Sequence, residues 1–209
     1  MADRLMGLLL SIPALILALS LHEFAHGYAA YLMGDNTAKY SGRLSLNPLD
    51  HLDPIGTLCL FLFKFGWAKP VPINPYNFRS RRAGIIVVSL AGPFMNFVVA
   101  LLSAFVYMAI YRFVPYSKLT QFILIVVYYS IQLNIGLMCF NLIPIPPLDG
   151  SKVLIELLPY RFRGLFYSIE RYSSFLLMIL LVTNVLTPAL GAARSFVESI
   201  IYYIVGLIF

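Results

Sequence analysis

The sequence predicts an all-α polytopic membrane protein of about five to six transmembrane helices, with short membrane-associated β-strand or re-entrant segments between the first and second long helices. Three observations carry that prediction. Of the 209 residues, 60% are hydrophobic and only 11% charged, and the mean hydropathy of +0.84 lies far above that of soluble domains. Apolar runs at 7–33, 84–113, 119–140, 175–190 and 196–209 approach or exceed the roughly 20 residues that cross a bilayer as a helix. The stretch 34–82 interrupts them with Gly, Pro and Asn among alternating apolar residues.

The first run, 7–33, follows Arg4 and contains Ala18-Leu19-Ser20, a loose likeness to a signal-peptide cleavage site. The apolar pattern continues well past that point, so the run reads as a retained helix. After it, "AKYSGRLSLNPLDHLDPIG" and "FGWAKPVPINPYNF" suit short strands and turns, with 44–46 and 71–73 as strand-like pieces. Backbone of this kind at membrane depth must be covered by protein or line a wet cavity, because unpaired amides are costly in lipid. The apolar run 55–65 is too short to cross and is expected to dip in or lie at the interface. In the second long run, Gly92 and Pro93 loosen the helix. The third run ends at Pro144, Pro146 and Pro147, which leaves Asp149 on irregular backbone. The runs at 175–190 and 196–209 are shorter, and their number and boundaries are the least determined part of the chain.

No polar linker or charge block divides the sequence, so residues 1–209 form a single membrane domain, with a core at about 7–158 and C-terminal helices at about 165–209. The net charge of +6 does not point to nucleic acid, because its distribution follows membrane topology. If the first helix runs inward, Lys39, Arg43, Lys64, Lys69, Arg79, Arg81, Arg82, Lys152, Arg161, Arg163 and Arg171 fall on the cytoplasmic side. Only Arg4, Arg112, Lys118 and Arg194 fall outside. Cys59 and Cys139 both lie in apolar surroundings, where a reduced core thiol is expected.

Within the first helix, "LSLHEFAHGYAA" carries His22, Glu23 and His26. Histidines four apart share one helix face and can grip one metal ion. In an HExxH arrangement two imidazoles hold zinc and the glutamate takes a proton from zinc-bound water, whose pKa falls to about 7. With three His and four Glu in the chain, about one shuffled sequence in two thousand would carry the pattern. A hydrolytic zinc site needs a third protein ligand and an open position. Glu156, Glu170 and Glu198 are the distant glutamates, but Asp149 in "FNLIPIPPLDG" is the better candidate. It ends up at the inner end of the third helix, the same depth as the inner half of the first.

HEFAH, "AGPFMN" at 91–96 and "FNLIPIPPLDG" at 140–150 together resemble the site-2 protease family of intramembrane zinc metalloproteases. "GRLSLNPLDHLDPIG" and "PVPINPYNF" are similar to its compact bacterial and archaeal members, so the resemblance runs from about residue 20 to 150. It implies one zinc per chain, held by His22, His26 and Asp149, with Glu23 as general base. It also implies that Asn96 lies near the metal, holding the substrate or its oxyanion; Gly92 and Pro93 would let it face a cavity, the alternative being an interhelical hydrogen bond. The expected substrate is a single-pass membrane protein, and the expected location is the prokaryotic inner membrane with the site toward the cytoplasm. Larger relatives carry a membrane helix before HExxH, a PDZ domain or a nucleotide-sensing domain; this sequence is expected to lack them.

His51, in "NPLDHLDP" and flanked by Asp50 and Asp53, is expected to be an interfacial turn residue, or else to contact substrate or the metal's surroundings. The chief alternative function is a metal or proton transporter using the same intramembrane cluster. That would call for related halves and acidic residues along a path, and the sequence displays neither. A catalytically silent scaffold is the third reading, and the intact HExxH argues against it. Oligomeric state is left open by the sequence.

Overall fold

In the computed structural model, residues 2–53, 56, 68–159, 161, 163, 164 and 171–209 are described. Helix α1 spans Ala2–Leu32, α2 Arg81–Phe113 and α3 Lys118–Asn141; then come the short α4, Asp149–Leu157, and the pair α5, Ser173–Val182, and α6, Thr187–Gly206. The ends of α3 follow from sequence. The Ser117 side chain accepts the Thr120 N–H at 3.0 Å and starts α3, and the proline-rich turn beyond Asn141 stops it.

Three of these helices are long and apolar enough to cross a membrane, namely Leu10–Leu32, Arg81–Phe113 and Lys118–Asn141. α5 and α6 add at most a fourth span, because they meet at a bend of 85°. Among the described residues the candidate spans thus number three or four, and the five to six expected from the sequence are not confirmed. The predicted division of the C-terminus is redrawn too: the helices break at 183–186, where Asn184 takes a φ of 56° and Pro188 restarts the helix at its first turn.

No strand forms among the described residues, so the strands expected at 44–46 and 71–73 are not realised. What remains is one antiparallel bridge, Leu52 to Ala68, with the Lys69 N–H donating to His51 O at 2.8 Å. Pro70, Pro72 and Pro75 explain this, since each removes a donor that a ladder would need. The re-entrant run expected at 55–65, with Cys59, lies outside the described residues apart from Gly56.

Small residues set the core. Ala100 and Ala104 on α2 let Ile131, Ile135 and Cys139 of α3 and Val197, Ile201 and Val205 of α6 pack closely. A second cluster joins Ala29 and Ala30 of α1 to Val88 of α2 and to Phe78, at the end of the loop that precedes α2. That loop is pinned by Asp35, whose buried carboxylate accepts the Asn74 N–H at 2.7 Å, the Asn77 side-chain amide at 2.8 Å and the Thr37 N–H at 3.1 Å.

Candidate metal centre

α1 presents His22 and His26 on one face, toward α2, and the turn after α3 delivers Asp149 to the same point. The Nε2 atoms of the histidines are 3.0 Å apart, and Asp149 Oδ2 lies 3.1 Å from His26 Nε2 and 3.3 Å from His22 Nε2. All three residues are buried. With zinc–ligand bonds of about 2.0–2.1 Å, tetrahedral ligands stand about 3.3 Å apart, so this triangle fits one face of a zinc tetrahedron. Asp149 is the first residue of α4 rather than part of an irregular loop, as its sequence context suggested. Gly150 permits this, because a Cβ there would come within 2.3 Å of Leu142 O.

The space for a metal is kept by Gly92. A Cβ on it would lie 2.4 Å from His26 Nε2 and 2.7 Å from His22 Nε2, on top of the ligand atoms themselves. The missing side chain also uncovers the carbonyl one turn earlier, Val88 O, which accepts from His26 Nδ1 at 2.7 Å. With Nδ1 carrying the proton, His26 Nε2 is left with a free lone pair facing Asp149 and His22.

Asn96 lies one helical turn beyond Gly92 and is fully buried behind His22. Its Oδ1 accepts from His22 Nδ1 at 2.5 Å, and its Nδ2 donates to Asn134 Oδ1 at 2.9 Å and Ala18 O at 3.3 Å. The expectation that Asn96 faces a cavity is thereby corrected: Gly92 takes the position nearest the imidazoles, and both ends of the Asn96 amide are engaged. The asparagine sets the tautomer of His22.

A cavity of about 680 Å³ opens beside the triad, lined by His22, Glu23, His26, Asp149, Val71, Ile73, Phe140, Asn141 and Lys152 among others. Glu23 is anchored there by the Val71 N–H, which donates to Oε2 at 3.0 Å. Lys152 Nζ donates to Asp149 Oδ1 at 3.0 Å, leaving Oδ2 for the histidines.

His51 does not join the cluster. It is fully buried in the turn, where its Nε2–H donates to Ser45 O at 2.8 Å, and Asp53 accepts from Gly56 N rather than orienting it. Glu156 forms an ion pair with Arg163 at 3.1 Å. Sequence reasoning missed Lys152, Asn134, the Val88 carbonyl and the Val71 N–H as the partner of Glu23. Only Asn134 carried a signal, as a polar residue inside an apolar helix; backbone donors carry none.

Comparison with known proteins points to a zinc metalloprotease. The sequence model of Peptidase family M50 matches residues 109–184, which include Asp149. YwhC of Bacillus subtilis, named as a zinc metalloprotease, is 40% identical over 191 residues, covering 87% of this chain and 85% of its own length. Rip2 of Mycolicibacterium smegmatis, also named as a zinc metalloprotease, is 28% identical over 93% of this chain and 73% of its own. Rip2 of Mycobacterium tuberculosis H37Rv is 29% identical over 66% of this chain and 53% of its own. No solved structure matches the chain.

Proposed function

The chain belongs to peptidase family M50, the site-2 protease family, and from that premise we propose that it is a zinc-dependent intramembrane endopeptidase that cuts transmembrane segments of single-pass membrane proteins. The observation that carries the reading is the triangle of His22, His26 and Asp149, closed on the α2 side by Gly92 and open to a cavity that Glu23 also lines. One zinc per chain, when bound, supplies a Lewis acid that polarises a carbonyl and brings the pKa of water to about 7.

The chain's own residues do the rest. Glu23 takes the proton of the attacking water and later hands it to the leaving amine. The Val71 N–H holds Glu23 Oε2, so the carboxylate is aimed before substrate arrives. Asn96 acts through His22 and is a positioning residue rather than an oxyanion donor.

Peptide bonds in a transmembrane helix are shielded by their own hydrogen bonds, so the substrate must unwind to reach the site. The cavity offers Val71, Ile73, Val88 and Phe140 as apolar wall for the unwound side chains. An added strand along 69–73 would find few donors, because Pro70 and Pro72 have no N–H and the Val71 N–H is taken. We therefore assign substrate binding chiefly to side-chain burial rather than to a ladder. The excess of Lys and Arg in the connecting segments supports a site toward the cytoplasmic side, and the bacterial relatives support a prokaryotic inner membrane.

The test is cleavage of single-pass membrane peptides by the wild type and Glu23→Gln in liposomes, with the cut mapped by mass spectrometry. The reading predicts cuts within the apolar segment by the wild type alone. Cuts confined to the soluble flanks, or retained by Glu23→Gln, would overturn it.

A further inference from the structure

A line of buried polar groups runs away from the metal centre, in a part of the protein that otherwise packs with small and apolar residues. It begins at His22 Nδ1, passes to Asn96 on α2 and reaches Asn134 in the middle of α3. Both asparagines are fully buried. Asn134 in turn donates from Nδ2 to Ser130 O at 2.8 Å, one turn back along its own helix.

A buried amide between apolar helices is unfavourable unless each of its polar atoms is paired. Here the pairing also has a direction. Ser130 O can only accept, so it fixes Nδ2 of Asn134 toward itself and Oδ1 toward Asn96. That oxygen can only accept, so Asn96 must present its Nδ2 to α3 and its Oδ1 to His22. An oxygen at that place requires His22 to carry its proton on Nδ1, which leaves Nε2 deprotonated toward Asp149 and His26. Reversing either amide alone would set donor against donor or acceptor against acceptor where the two asparagines meet.

We propose that Asn134 is a positioning residue of the metal centre, which acts through Asn96 to hold His22 in the tautomer and orientation that bind zinc. The inference rests on the reading of His22 as a zinc ligand. His26 needs no such line, because Val88 O, a helix carbonyl, does the same for it directly. Asn134 thus supplies from a third helix what the backbone of α2 supplies to the other histidine. The arrangement makes the metal's affinity depend on the packing of α3 against α2 and α1.

The test is zinc affinity, measured by competition with a chromophoric chelator on detergent-solubilised full-length protein. The proteins are the wild type, Asn134→Leu, Asn134→Asp, Asn96→Leu and the Asn96→Leu/Asn134→Leu pair. Removing a partner of a metal-bound histidine lowers metal affinity by about 10- to 100-fold, and one joint further out the lower end is expected, about tenfold for Asn134→Leu. In its protonated form Asn134→Asp keeps an acceptor for Asn96 and a donor for Ser130 O, and should stay within about threefold of the wild type. In the Asn96→Leu background, Asn134→Leu should change affinity by less than about twofold, since the line is already cut. Asn134→Ala serves the same comparison if Asn134→Leu does not fold.

Equal zinc affinity in wild type and Asn134→Leu would overturn the inference and leave the protease reading standing. So would a loss of thermal stability of the metal-free protein with affinity unchanged, which marks a purely structural asparagine. A wild type that binds no zinc would overturn the reading on which the inference rests.

Discussion

Replacing Gly92 by alanine is the smallest change that should abolish the metal centre. The added methyl would sit 2.4 Å from His26 Nε2, 2.6 Å from His22 Cε1 and 2.7 Å from His22 Nε2. Ordinary van der Waals contact begins near 3.4 Å, so at least one imidazole must retreat by about 1 Å, against a tolerance of about 0.2 Å in zinc–ligand distances. Neither ring can retreat freely, because His22 is tied to Asn96 and His26 to Val88 O. The expected loss is at least about 100-fold in zinc affinity, more than that from removing an outer partner of a ligand. The helix itself should gain from the change, since alanine is favoured over glycine in a helix interior by about 0.5–1 kcal/mol. Chelator competition read beside circular dichroism separates the two effects: helicity kept and zinc lost. A Gly92→Ala protein that binds zinc within threefold of the wild type would refute the placement of the metal against this face of α2.

Other substitutions probe the remaining parts. Glu23→Gln should keep zinc and lose about 10²–10⁴ in turnover, read by metal analysis and peptide cleavage on one preparation. Val71→Pro removes the N–H that holds Glu23, a hydrogen bond to a charged group worth about 1.5–3 kcal/mol, so turnover should fall about 10- to 100-fold with zinc content unchanged. Lys152→Met frees Asp149 Oδ1 and should weaken zinc binding several-fold, measured by chelator competition. Burial raises the Asp35 carboxyl, but hydrogen bonds from Thr37, Asn74 and Asn77 outweigh it and hold it below its usual value. Its contribution to stability is therefore complete above the unfolded value, near pH 4, and is lost as pH falls through the lower folded one. Thermal melts against pH should show the gap between wild type and Asp35→Asn closing in acid.

The sequence made the apolar helices and the chemistry legible, because both are written locally. Hydropathy marks spans, and His22, Glu23 and His26 lie within one helical turn and a half. Asp149 was reachable because three prolines end α3 just before it. What escaped is settled by contacts between distant segments. Whether 71–73 pairs as a strand depends on what meets its donors, and the Val71 N–H meets Glu23, 48 positions away. Whether Asn96 faces a cavity or a histidine depends on how α2 is turned against α1, which Gly92 decides by admitting the imidazoles. Asn134 gains its significance only from Asn96, on another helix. The C-terminal division depended on Asn184 and Pro188, a break that hydropathy runs do not register.

The most direct test of the central claim is X-ray absorption at the zinc edge of the full-length protein loaded with metal, wild type beside Asp149→Ala. The expected spectrum shows about one zinc per chain with two imidazole nitrogens near 2.0–2.1 Å and oxygen in the remaining positions, and a changed shell in Asp149→Ala. A spectrum fitted by fewer than two imidazoles, or one unaltered by loss of Asp149, would contradict it.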